Sequence, residues 1–139
     1  MLFIRPFQTT DEEAVIALWQ RCGLVRPWNN PKLDIERKLQ KDPDLFLVGL
    51  ENALLVASLM GGYEGHRGVV NYLAVSPDYQ HKGYGQAMMA EIEAKLKARG
   101  CPKINLLVRS SNTQVIGFYE QLGYKQEETV CLGKRLIED

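Results

Sequence analysis

A chain of 139 residues is long enough to bury a core without a disulfide or metal staple, and residues 1–139 read as a single domain. Its 17 lysines and arginines equal its 17 aspartates and glutamates, so no net charge draws it to nucleic acid or to an anionic membrane surface. The longest apolar run, around 53–60, is far short of the roughly 20 residues that cross a bilayer.

Residues 2–5 read as an opening strand. Thr10-Asp11-Glu12-Glu13 matches a capping box, and Ala14, Val15, Leu18, Trp19 and Cys22 follow on one helical face up to Gly23. Asn30-Pro31 supplies an N-cap and a proline at the first position of a second, more polar helix reaching about Gln40. The apolar runs 45–50 and 53–61, separated by Glu51-Asn52, predict a hairpin. VVNYLAV at 69–75 reads as a buried central strand that ends before Pro77. Residues 84–99 predict a helix with Met88, Met89, Ile92 and Leu96 on its inner face, stopped by Gly100 and Pro102. Alternation of Ile104, Leu106 and Val108 predicts a strand. Asn112 caps a last helix with face Val115, Phe118, Tyr119 and Leu122, and 127–137 predicts a final strand. The resulting fold class is α/β: a mixed, mostly antiparallel sheet with a parallel central pair, flanked by about four helices.

Cys22, Cys101 and Cys131 are odd in number and widely spaced, which fits reduced side chains. His66 and His81 have no second ligand at a metal-binding spacing, so no metal site is expected. MLFIRPF has neither the apolar h-region nor the small-residue cleavage site of a signal peptide, so a cytoplasmic protein is expected.

The chemistry concentrates at Gln80-His81-Lys82-Gly83-Tyr84-Gly85, between a strand and a helix. Glycines at 83 and 85 allow torsions and close approaches that a Cβ blocks. Loop and first-turn amides then converge where the helix dipole is positive, which suits a pyrophosphate. A tight strand-to-helix turn without a ligand is the plain alternative. A dinucleotide fingerprint fails because Met88 stands where a third glycine belongs, and a P-loop fails at Gly85-Gln86-Ala87.

With its surroundings this segment resembles the GNAT N-acetyltransferase superfamily over essentially the whole chain. The family's (Gln/Arg)-x-x-Gly-x-(Gly/Ala) motif stands at 80–85. YLAVSPDYQ looks like its fourth strand and exit, and N-x6-Y-E-x-L-G-Y is matched by Asn112, Tyr119, Glu120, Leu122, Gly123 and Tyr124. RPWNNPKLDIERK, GGYEGHRG and LGKRLIED look like the small YpeA-type bacterial acetyltransferases.

The resemblance implies an acetyl-CoA-dependent N-acetyltransferase acting on a primary amine by direct attack in a ternary complex. Its alternative is a non-catalytic acyl-CoA-binding or regulatory module on the same fold. The resemblance further implies that main-chain groups of Leu73, Ala74 and Val75 line the pantetheine arm, with the Val75 amide polarising the thioester carbonyl. Gln80, His81, Lys82, Gly83, Tyr84 and Gly85 would hold the pyrophosphate; Lys82 either adds charge there or is simply solvated. Asn112 either caps its helix alone or also approaches the cofactor.

By the same resemblance Tyr119 is the candidate partner of the leaving thiolate, against a buried aromatic beside Phe118. An unperturbed tyrosine lies about 2 kcal/mol uphill of an alkyl thiol as a proton donor, which favours a hydrogen bond to sulfur over full transfer. Glu64 and His66 are the base candidates by sequence, each against a solvated loop position; relayed water would need neither. Asn71 stands where some relatives carry a glutamate. The implied acceptor pocket contains Arg26, Trp28, Asn29, Tyr63 and Arg67, for a small-molecule, peptide or protein amine. Arg26 beside Trp28 either clamps a carboxylate or forms surface contacts. The resemblance also implies homodimer formation through late strands, and no metal or nucleic-acid partner.

Overall fold

A computed structural model describes residues 1–139. The chain forms two compact units, residues 1–105 with Asp139, and residues 106–138. The larger contains β1 (Phe3–Pro6), α1 (Glu12–Arg21), α2 (Pro31–Lys41), β2 (Phe46–Glu51), β3 (Leu54–Tyr63), β4 (Gly68–Val75), α3 (Tyr84–Ala98) and β5 (Ile104–Asn105). The smaller contains α4 (Thr113–Gln121).

The sheet order is β1-β2-β3-β4-β5, antiparallel throughout except for the parallel β4–β5 pair. This is the expected mixed α/β sheet with four helices. Its parallel pair lies at the β5 end rather than the centre, because no further strand follows β5 in the sheet.

Side chains alternate across a strand, and β3 uses both faces. Ser58 and Met60 face α1, whose Val15, Leu18 and Trp19 are fully buried with Ile35 of α2 and Phe46 of β2. Gly61 faces α3, where a Cβ would come within 2.5 Å of Ile92 Cδ1. Only glycine lets this helix sit so close. Met88, Met89, Ile92 and Leu96 of α3 are buried as their spacing predicts.

Several boundaries differ from the sequence expectation. Asp11, not Glu13, organises the first helix start. Its carboxylate accepts the Gln8 amide (2.8 Å) and the Arg5 guanidinium (2.7 Å), and a short 3-10 turn at Thr9–Asp11 precedes α1. The β2–β3 turn is Asn52-Ala53, both with positive φ (49° and 67°), so Ala53 takes a conformation usually left to glycine. The expected strand at 104–108 is two residues long. The expected strand at 127–137 does not form. Val130, Leu132 and Leu136 are exposed, and alternation cannot make a strand without a neighbour to accept its main-chain hydrogen bonds. No helix is long and apolar enough to cross a membrane.

Candidate active site

The end of β4 carries the first component. At Tyr72 the strand bulges: Ser58 opposes Ala74 and Met60 opposes Asn71, which leaves an extra residue on β4, and Tyr72 has φ of 54°. Such a torsion is strained for an aromatic residue. Ser58 holds it in place, accepting a hydrogen bond from Trp19 Nε1 (2.8 Å) and donating one to the Tyr72 carbonyl (2.9 Å). The Tyr72 ring stacks on Trp19 with centroids 3.8 Å apart.

Beyond the bulge β4 outruns its parallel neighbour, since β5 pairs only with Gly68 and Val69. The Ser76 amide donates to Val56 on β3 (2.8 Å). Main-chain groups alternate in direction along a strand, so the Val75 amide points toward the other edge. The Val75 carbonyl already accepts from Gln80 Nε2 (3.1 Å) and the Cys22 thiol (3.4 Å). Burial raises the pKa of that thiol, keeping it protonated and a donor.

The glycine loop follows. His81 (φ 65°) and Gly83 (φ 81°) both adopt left-handed torsions, and Gly83 is the N-cap of α3 without a side-chain acceptor. The first turn of α3 carries no acid. Its leading amides therefore face outward with the positive end of the helix dipole, in the arrangement that receives an anion. Tyr84 turns its hydroxyl to the Glu51 carboxylate, which raises the tyrosine pKa and anchors the loop to the β2–β3 turn. Lys82 lies 4.0 Å from Glu51 and over the Tyr79 ring at 5.1 Å.

The remaining sequence candidates separate into groups. Asn29 joins Tyr72: its Nδ2 donates to the tyrosine hydroxyl while its Oδ1 accepts the Arg26 amide (2.9 Å). Arg26 and Trp28 are exposed on the same loop. Tyr63, Glu64, His66 and Arg67 lie at the opposite end of β4, where Tyr63 pairs with Gly68. With a rise of about 3.3 Å per residue, that end is on the order of 20 Å along the strand from Val75. The structure therefore does not bring Glu64 or His66 to the end of β4 that carries Val75. Glu64 is moreover turned into its own loop, accepting the His66 and Arg67 amides, which hold its carboxyl below the usual range. Tyr63 hydrogen-bonds the carbonyls of Gly65 (3.1 Å) and Gly100 (3.4 Å).

In the smaller unit Asn112 caps α4, accepting the Val115 amide at 3.3 Å. Tyr119 is buried, edge-on to Phe118 (5.1 Å) and Tyr124 (5.6 Å). Burial pushes its pKa up to about 12. Sequence reading missed Tyr72, Asp34, Glu51 and Cys22. An aromatic in a strand reads as core, and nothing in sequence spacing shows that a positive φ will turn its hydroxyl toward α2.

Residues 12–124 match the model of the acetyltransferase (GNAT) family. The chain belongs to that family. It is 56% identical over 136 residues to an acetyltransferase of Yersinia pestis strain Pestoides F, covering 98% of this chain and 96% of that protein. Among solved structures it resembles the ribosomal-protein-S18-alanine N-acetyltransferase of Escherichia coli, with 26% identity and a TM-score of 0.76 over 91% of this chain and 79% of that one. It also shares the fold of a PaiA N-acetyltransferase from Thermoplasma acidophilum solved with coenzyme A. That match has 23% identity and a TM-score of 0.78, over 94% and 93% of the two chains. As a GNAT protein the chain is an acetyltransferase.

Proposed function

We propose that this acetyltransferase moves an acetyl group from acetyl-CoA to a primary amine by direct attack within a ternary complex. The observation that carries the reading is the left-handed His81–Gly83 turn opening an uncapped helix beside a strand end that outruns its neighbour. The turn offers amides to a pyrophosphate, and the strand offers amides to an extended pantetheine arm, including that of Val75 to the thioester oxygen. The Thermoplasma relative's complex with coenzyme A supports the same donor here. The family match spans residues of both compact units, which supports reading 1–139 as one acetyltransferase domain.

Asn112 and Tyr119 take donor-side roles here on the family motif that they match in sequence. With Tyr119 near 12 and an alkyl thiol near 8.5, full proton transfer is uphill by about 5 kcal/mol. Tyr119 therefore acts as a hydrogen-bond donor to the developing thiolate, and solvent delivers the net proton. The remote, self-capped Glu64 and the remote His66 leave relayed water as the base. The acceptor is a small-molecule, peptide or protein amine.

Thermal unfolding with acetyl-CoA, desulfo-CoA and NAD tests the donor assignment. At about 100 times Kd, a ligand that binds only the folded state adds about 2.7 kcal/mol. For a domain of this size that is on the order of 5–10 °C. A rise with both CoA compounds and none with NAD is expected. No rise with any of them at millimolar concentration would overturn the assignment. Release of free thiol on adding amines then separates a catalyst from a mere acyl-CoA binder.

A further inference from the structure

The loop between α1 and α2 runs from one part of β4 to another. Cys22, at the end of α1, touches the Val75 carbonyl, and Asn29, just before α2, touches the Tyr72 hydroxyl. Asn29 also fastens the loop to itself, since its backbone amide donates to the Arg26 carbonyl (3.2 Å) while its Oδ1 accepts from the Arg26 amide. This strap follows the stretch of strand where the acyl group would lie. At its α2 end the Tyr72 hydroxyl donates to Asp34 Oδ2 at 2.6 Å.

Asp34 is a half-buried carboxylate with one oxygen committed to this bond. Its Oδ1 is 3.8 Å from Arg37, outside hydrogen-bond length. Arg37 itself is held by both carboxylate oxygens of Asp139 (2.9 and 3.2 Å). Two carboxylates, Asp34 and Asp139, thus share one guanidinium. Burial first, then the hydrogen bond and charge of Asp34, and least the charge of Asp139, keep the Tyr72 proton in place, so the hydroxyl stays a neutral donor. A first-turn acid that merely complemented the dipole of α2 would need neither this partner nor the pairing of Tyr72 with Asn29.

We propose that Asp34 is the residue that selects the acceptor, pairing through Oδ1 with an ammonium group, and that Tyr72 and Asn29 are positioning residues that fix it beside the end of β4. The acceptor class is accordingly cationic: diamines and lysine-like amines free of an adjacent carboxylate. The inference rests on the acetyl-CoA reading, because it takes the end of β4 as the place of transfer.

The test uses the full chain with acetyl-CoA and four probe amines: 1,4-diaminobutane, lysinamide, n-butylamine and glycine. Thiol release gives KM and kcat for each, and tryptophan fluorescence in the presence of CoA gives binding independently of turnover. Wild type should favour lysinamide or diaminobutane over glycine by at least about tenfold in kcat/KM. Asp34→Asn keeps an acceptor for the Tyr72 hydroxyl but loses the charge. It should raise the KM for the cationic probes about tenfold or more, with the KM for acetyl-CoA and the thermal midpoint unchanged. Asp34→Glu should recover part of the loss. Unchanged amine KM values in a folded Asp34→Asn protein, equal preference for glycine, or no probe binding to wild type would each overturn the proposal. In all three cases a retained acetyl-CoA thermal shift leaves the donor assignment standing. Loss of that shift in wild type would overturn both.

Discussion

Ser58 shows how much one small side chain can determine. It is fully buried in β3, accepts the Trp19 indole and donates to the carbonyl of a residue in a strained torsion. Ser58→Ala removes both bonds at once and leaves a buried indole N–H and a carbonyl short of partners. Leaving buried polar groups unsatisfied costs about 1–3 kcal/mol, so urea unfolding should show a loss in that range. The same variant should weaken turnover, because the bulge that turns Tyr72 toward Asp34 loses its support. Tyr119 poses the opposite case, a side chain whose removal should leave stability nearly intact. Tyr119→Phe keeps the ring between Phe118 and Tyr124 and deletes only the hydroxyl. It should lower kcat by about 10²–10³, the range for removing one hydrogen-bond donor to a developing negative charge. Unchanged turnover at saturating substrates would remove Tyr119 from the mechanism.

At the level of elements, the glycine loop and α3 act together. Gly83 sits at φ 81° with open space around its missing Cβ, so an added methyl group meets torsional strain but no clash. Gly83→Ala should cost about 1 kcal/mol in stability. It should also raise the KM for acetyl-CoA while leaving that for the amine unchanged, since the methyl would project where the donor's phosphates approach; steady-state kinetics in both substrates checks this. This loop and its helix were legible in the sequence because glycine placement and a 3.6-residue apolar period are local signals. Val15, Leu18 and Trp19, and Met88 through Leu96, are buried as their spacing implied. Where the deciding force is tertiary, the sequence was silent or misleading. Val130, Leu132 and Leu136 carry a strand's alternation, but alternation records only a compatible surface, and no strand forms there. Tyr72 read as one more apolar residue of VVNYLAV, because a bulge is set by the pairing of two strands and leaves no mark in one. Asp34 was hidden for the same reason, as its partner lies 38 residues away. Glu64 and His66 were close to β4 in sequence and distant in space from the end that carries Val75, a separation created by the strand itself.

The whole molecule should be stable between two pH limits that can be assigned to named groups. Asp11 is buried and bound to Arg5, whose guanidinium holds its carboxyl below the usual aspartate range. Because its folded pKa is depressed, its contribution is present above the unfolded value near 3.9 and is lost as pH falls through the folded one. On the alkaline side Tyr119, at about 12, and Tyr72, which burial and Asp34 push up further, are raised above the unfolded value near 10. A raised pKa reverses the sign. Their stabilisation is full below about pH 10 and disappears as pH rises through the folded values. Urea midpoints should therefore be flat from about pH 5 to 8, above which the buried Cys22 thiol and then the two tyrosines lose their contribution, and fall on both sides. Asp11→Asn should lower the plateau and flatten the acid limb, because the group that titrates there is gone. Tyr72→Phe should flatten the alkaline limb and leave the acid limb untouched. If the alkaline limb of Tyr72→Phe matched that of wild type, proton retention by Tyr72 would contribute nothing to folding, and the hydrogen bond to Asp34 would be too weak to position that carboxylate for an acceptor.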